Sequence, residues 1–143
     1  MAVKQIAIFV ENQAGSLAEI TQLLADAGID IRAMSISETT DFGILRLIVD
    51  NVDTARAVLA EGGFVCSVNE VVAAELPDVP GGIAGVISVL SKNGVNIEYL
   101  YAFVGVSGKQ AWVVLRVADN EKAEAILSAN GYRALSDEQL SGI

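Results

Sequence analysis

Three observations predict an α+β chain made of two tandem βαββαβ units. A phrase recurs, β-like and α-like runs follow it in the same order both times, and a glycine ends the helix-like run after each copy. The phrase is VENQAGSL at Val10–Leu17 and LPDVPGGI at Leu76–Ile83. Gly15 and Gly81 stand 66 positions apart, and the same offset pairs Leu17 with Ile83, Ala18 with Ala84, Leu24 with Leu90, Gly28 with Gly94 and Ile31 with Ile97. Further on, Arg46 aligns with Arg116 at an offset of 70, which reads as an insertion of GVSGK between two strands of the second copy. Ala55 with Ala123, Leu59 with Leu127 and Gly63 with Gly131 return to 68. The predicted domains are residues 1–68 and 69–143.

Each element follows from its period. In KQIAIFV, Ile6, Ile8 and Val10 alternate with Gln5 and Ala7, as a half-buried strand requires, with Phe9 out of pattern. From Ser16 to Ala27 the apolar residues Leu17, Ile20, Leu24 and Ala27 recur at helical spacing, and Gly28 stands at the stop. IDIRAMSIS and FGILRLIV are two β-rich runs about a turn at Thr40 and Asp41. Asp53 then reads as the N-cap of a helix over TARAVLAE that ends at Gly62 and Gly63. FVCSV closes the first unit, and the second repeats the order from about Glu70 to Leu135. This order is the split βαβ, ferredoxin-like plan, with antiparallel sheets and helices on one face. SVNEVVAAEL must serve both the end of one unit and the start of the next, with no Gly or Pro linker. Close coupling of the two domains is expected.

Composition removes several classes of function. With 52% hydrophobic residues and a mean hydropathy of +0.49, 143 residues can build a packed core. Apolar runs are far shorter than the ~18 residues of a membrane span, and no basic, apolar leader opens the chain. A soluble, cytoplasmic protein with no membrane partner is expected. There is no histidine, and Cys66 is the single cysteine, so no internal disulfide and none of the usual zinc or Ser/His constellations can be assembled. No metal and no cofactor are expected. A net charge of −9 repels phosphate backbones and argues against nucleic-acid partners.

The recurring phrase has its own chemistry. Where a strand turns sharply into a helix, Gly15 permits a tight backbone and exposes N–H groups of the first helical turn, which favour an anion such as a carboxylate. Asn12 on the loop and Asp30 opening the next strand are read beside them, with Asp78 and Asn96 at the matching places of copy two. The Asp and the Asn have exchanged positions. Each pair offers side-chain oxygens and one negative charge, which suits an ammonium group held beside a carboxylate, and a free amino acid carries both. The alternative is ordinary turn and helix-stop chemistry, in which Asn and Asp bond their own backbone.

Around these residues the chain resembles the ACT domain family. ENQAGSLAEITQLLADAGIDI followed by a hairpin near DFGIL carries the resemblance, and PDVPGGIAGVISVLSKNGVNI carries it again, so two ACT-like copies would cover nearly the whole chain. The resemblance implies small-ligand binding, commonly of amino acids, at interfaces between ACT domains, often to regulate an enzyme of amino-acid metabolism. It implies ligand contacts at Asn12, Gly15 and Asp30, and at Asp78, Gly81 and Asn96. The residues flanking the two glycines, Ser16 and Leu17 and then Gly82 and Ile83, complete the candidate set. Ala14 departs from the family's frequent Pro-Gly turn, which Pro80 keeps. The second loop is therefore expected to be the better prepared, with its extra glycines opening space at the helix start.

Other signals have plainer readings. Gly81, Gly82 and Gly85 point to close backbone approach, either by a ligand or by a packed neighbour. Tyr99, Tyr101 and Phe103 share a strand face and read as core, while Arg46 and Arg116 mark the sheet face away from the helices. Cys66 reads as a small buried hydrophobe. Three functions stay open: a non-enzymatic amino-acid-binding regulatory protein; a ligand-independent interaction subunit of a metabolic enzyme; and a small enzyme using Asp30, Asp41 or Glu38 as acid or base. Units of about seventy residues have marginal cores by themselves, so a homodimer is expected.

Overall fold

The computed structural model describes residues 2–11, 13–38, 41–104 and 110–141, apart from the side chains of Glu38, Val104 and Ser141. They form two compact units, one over Lys4–Asn69 and one from Glu70 onward that includes Val3. The inserted GVSGK and Thr40 of the expected turn lie outside the described residues.

The first unit contains β1 (Val3–Glu11), α1 (Ser16–Asp26), β2 (Ile31–Glu38), β3 (Phe42–Val49), α2 (Val52–Glu61) and the opening of β4 (Cys66–Pro77). Its strands lie in the order β2-β3-β1-β4. β1 and β3 are antiparallel, with Ile6 opposite Leu47, Ile8 opposite Leu45 and Val10 opposite Gly43. Because directly opposed residues share a face, these side chains form one apolar surface, and Ile20, Leu24, Ala55 and Leu59 of the two helices close it. Full burial of a Leu or Ile side chain contributes ~1.5–3 kcal/mol each. β2 adds Ile36 opposite Leu45 and Met34 opposite Leu47 at the sheet's edge, where both remain exposed.

The second unit repeats the plan with the rest of β4, α3 (Gly82–Lys92), β5 (Tyr99–Val104), β6 (Gln110–Arg116), α4 (Asn120–Ala129) and β7 (Arg133–Ala134). Its strand order is β5-β6-β4, with β7 on the other side of β4. Val72, Ala74, Leu76, Val113, Leu115 and Val117 face Val86, Leu90, Ala123 and Leu127. Apart from Ala111, which the second core adds, the core of one unit thus maps onto the other position by position.

Register corrects the sequence alignment. Leu45 lies opposite Ile8, and Val113 opposite Ala74, the residue 66 positions after Ile8. The third strands therefore match at 68, so that Arg46 corresponds to Val114 and not to Arg116. Both arginines still project from the face away from the helices, since their opposed partners do. Tyr99, Tyr101 and Phe103, paired with Arg116, Val114 and Trp112, share that face instead of the helix-packed one. Tyr101 is nevertheless buried. Cys66 is half-buried and packs at the margin of the first unit's core.

The helix ends are explicit. α1, α2, α3 and α4 all stop in the same paired turn; in α1 the Ile29 N–H donates to Leu24 O at 2.9 Å and the Gly28 N–H to Ala25 O at 3.0 Å. The cap of α2 is Asn51, not Asp53. Asn51 has extended backbone, and its Oδ1 accepts the Thr54 N–H at 3.1 Å, which leaves Asp53 inside the first turn, where its charge favours the helix dipole. Asp119 caps α4 in the same way through the Lys122 N–H at 3.1 Å. A further helix, α5 (Asp137–Ser141), begins with a capping box in which Gln139 Oε1 accepts the Ser136 N–H at 2.9 Å and Ser136 Oγ accepts the Gln139 N–H at 3.3 Å.

Candidate functional site: the strand-to-helix turns

Both turns are made by the same device. Gly15 has φ +92° and Gly81 φ +87°, left-handed values that favour glycine, and each residue occupies the N-cap of its helix. A glycine cap has no side chain to offer, and among the described residues no side-chain hydrogen bond caps α1 or α3. The Ser16 N–H turns back to Gln13 O and the Gly82 N–H to Val79 O, while Glu19 and Gly85 begin the helical ladder on the two glycine carbonyls. The N–H groups between them, on Leu17 and Ala18 and on Ile83 and Ala84, point out of the helix start along the positive end of its dipole. Such a geometry receives a carboxylate.

In the first unit the turn opens onto a cleft of about 190 Å³ lined by Val10, Glu11, Gln13, Ser16, Leu17, Ile36 and Gly43. That is smaller than the ~300–1,000 Å³ of drug-sized pockets and comparable with a single amino acid. Of the expected residues, Ser16 and Leu17 line it, Gly15 caps the helix beside them, and Asn12 lies outside the described residues. Val10, Glu11, Gln13, Ile36 and Gly43 were absent from the candidate set. A glycine inside a strand often marks close approach by another group, and Gly43 in FGILRLIV carried that signal.

Asp30 is not brought to this cleft. Glu11, at the end of β1, lies opposite Phe42, whereas the Asp30 carbonyl accepts the Asp50 N–H at 3.2 Å and the Asp30 N–H donates to Asp50 Oδ1 at 3.0 Å. Phe42 and Asp50 are at the two ends of β3, ~26 Å apart at the rise of an extended strand. The parallel course of β1 and β2 requires this, since α1 must carry the chain back along the sheet. The Asp30 carboxylate instead pairs with Arg32 at 3.1 Å.

The second unit shows the same separation. Asp78 and Gly81 are exposed at the β4–α3 turn, where Pro77 pairs with Gln110; Asn96 precedes β5 near Arg116, at the other end of β6. Asn96 lines a separate cleft of about 410 Å³ with Gly94, Val95, Glu98, Ala118, Asp119 and Lys122. Gly82 is buried, and a Cβ there would collide with the Pro77 carbonyl oxygen; one at Gly85 would collide with the Tyr132 hydroxyl. The close approach inferred at these glycines is therefore made by the unit's own residues, and Gly82 does not open space. Ile83 is partly exposed beside it. Asp30 and Asp41, weighed as acid or base, are exposed, and Glu38's side chain lies outside the described residues. Among the described residues no group of three or more acidic or cysteine side chains is spaced to hold a metal, and no helix is long and apolar enough to cross a membrane.

This doubled βαββαβ plan, with a glycine-capped helix after each first strand, is that of an ACT pair. The model of the ACT domain pair matches residues 1–143, and the chain belongs to that family, a regulatory class of domain. Among solved structures, protein BT0572 from Bacteroides thetaiotaomicron is 38% identical with a TM-score of 0.93, over 100% of this chain and 98% of that one. The regulatory subunit of aspartate kinase from Thermus thermophilus, in its ligand-free form, shares the fold at 20% identity and a TM-score of 0.64, over 90% and 92% of the two chains. That from Thermus flavus does so at 20% and 0.59, over 88% of each. No curated protein matches the chain.

Proposed function

We propose that this ACT pair is a non-enzymatic regulatory protein that binds a free amino acid at its strand-to-helix turns and acts, as a homodimer, on an enzyme of amino-acid metabolism. The observation that carries the reading is the glycine-capped helix start, whose outward N–H groups are capped by no side chain among the described residues. In the first unit it opens on a cleft with Glu11 on its wall. A carboxylate at the N–H groups, with the ammonium beside it at the polar end of the cleft, describes an amino acid. Regulatory subunits of aspartate kinase share the fold, which supports an enzyme partner.

A homodimer is supported by the first unit's sheet face away from the helices. Phe9 and Phe42 are 56% and 55% exposed there, beside Val65, whose carbonyl accepts the Phe9 N–H. A second copy can cover this patch with the same patch of its own. The same surface favours a second reading, in which the protein is an interaction subunit that needs no ligand.

A thermal-shift screen of the full chain against the twenty amino acids separates the two. Ligand at 100 times its Kd adds ~2.7 kcal/mol, which for this size corresponds to a rise of about 5–10 °C. A rise with one chemical class of amino acid supports the proposal. Twenty flat profiles reject it in favour of the interaction subunit.

A further inference from the structure

The two cores match residue for residue except at one place. Ala111 belongs to the second unit's core, and its counterpart in the first is Gly43, since Val10 lies opposite Gly43 and Leu76 opposite Ala111. Around this position the lining differs further. Val10 is replaced by the longer Leu76, whose Cδ1 reaches within 3.3 Å of where a Cβ of Gly82 would stand. Ser16 carries a Cβ; its counterpart Gly82 has none, and α3 sits against the Pro77 carbonyl with no room for one. Ile36, 54% exposed on the first cleft's wall, becomes Ala102. In the first unit the floor of the cleft is bare backbone at Gly43, with apolar walls from Val10, Leu17 and Ile36. In the second, a methyl group and a leucine side chain stand where the first has that floor.

Resting on the amino-acid reading above, we infer that the ligand is an α-amino acid with an aliphatic side chain, that this side chain enters the first unit's cleft over Gly43, and that the matching turn of the second unit takes no ligand. Glu11, Gln13 and Ser16 are the polar residues of the lining, and they stand at the turn, where the ammonium and carboxylate would be held. Polar side chains find no partner among the apolar walls. Gly43 sets the depth: its position accepts a methyl group, with Ser37 O and Val10 Cγ2 each at 3.4 Å and Ile36 Cγ1 at 3.6 Å, but that methyl group would fill the floor.

The test is calorimetric titration of the full chain with leucine, valine, alanine and aspartate, repeated on Gly43→Ala and Ile36→Ala. Leucine or valine should bind at one equivalent per chain, and Gly43→Ala should weaken the larger of them by about 10- to 200-fold, the usual effect of one methyl group in a tight apolar pocket. Alanine should lose less than leucine, which reverses part of the selectivity and excludes a general folding defect. Ile36→Ala, at an exposed position, gives a second reading through weaker leucine binding. Binding of aspartate in preference to aliphatic amino acids, two equivalents per chain, or unchanged leucine affinity in both variants would overturn the inference while leaving the amino-acid reading intact. Absence of binding by all four, together with twenty flat profiles in the thermal-shift screen, would overturn both.

Discussion

Gly82→Ala tests whether α3 is held against the end of β4 as closely as the structure shows. Position 82 is the first residue of α3, and alanine in a helix is favoured over glycine by ~0.8–1 kcal/mol. Propensity alone therefore predicts a more stable protein. Against this, the new methyl group meets the Pro77 carbonyl oxygen, which is backbone and cannot swing aside, and it also crowds Leu76 Cδ1 at 3.3 Å. Forcing an extra methyl group into a packed site costs ~1–3 kcal/mol, and against rigid backbone the upper part of that range applies, so after the helix-propensity gain the net expectation is a loss of about 1–2 kcal/mol, or about 2–8 °C in Tm for a chain of this size. Urea denaturation with an unchanged slope would measure it directly. A variant as stable as the parent, or more so, would show that α3 can withdraw from β4 at little cost. The difference between the two turns would then lose its physical basis.

The remaining predictions concern neighbouring features. Gly85→Ala should cost less than Gly82→Ala, because the atom it meets is the end of the Tyr132 side chain, and Tyr132→Phe should recover part of the loss in a double-mutant cycle; strict additivity would refute the contact. Asn51→Ala should lower stability by about 0.5–2 kcal/mol through loss of the α2 cap, with Asp53→Ala costing less, and the opposite order in thermal melts would restore Asp53 as the cap. Phe9→Lys should turn a dimer into a monomer in light scattering without loss of helix content in circular dichroism. A parent chain already monomeric at micromolar concentration would remove the dimer from the account.

Much of the fold is written in local pattern. Ile6, Ile8 and Val10 alternate because one face of β1 meets the helices, and Leu24 and Leu90 recur at the same offset because both sit under a sheet of the same design. What failed was what depends on geometry between elements. The offset of 70 came from matching Arg46 to Arg116 by identity, whereas pairing of β3 with β1 and of β6 with β4 sets it at 68. Asn51 and Asp53 are both good capping residues, and only the extended backbone at Asn51 decides between them. The capping box SDEQ at Ser136–Gln139 is a further helix start that is legible in sequence. Placing Asp30 beside Gly15 overlooked that a strand, helix and parallel strand put their two connecting turns at opposite ends. The role of Gly82 could not be read at all, because nothing in the sequence locates the Pro77 carbonyl.

The central claim is that an amino acid is held by the helix start of the first unit. It is tested most directly by titrating uniformly ¹⁵N-labelled protein with leucine and following backbone amide resonances. Saturable shifts are expected at Leu17 and Ala18, the N–H groups facing the carboxylate, and at Gly43 on the floor of the cleft, with Ile83 and Ala84 unmoved. Shifts centred on Ile83 and Ala84, or a spectrum that no amino acid changes, would contradict it.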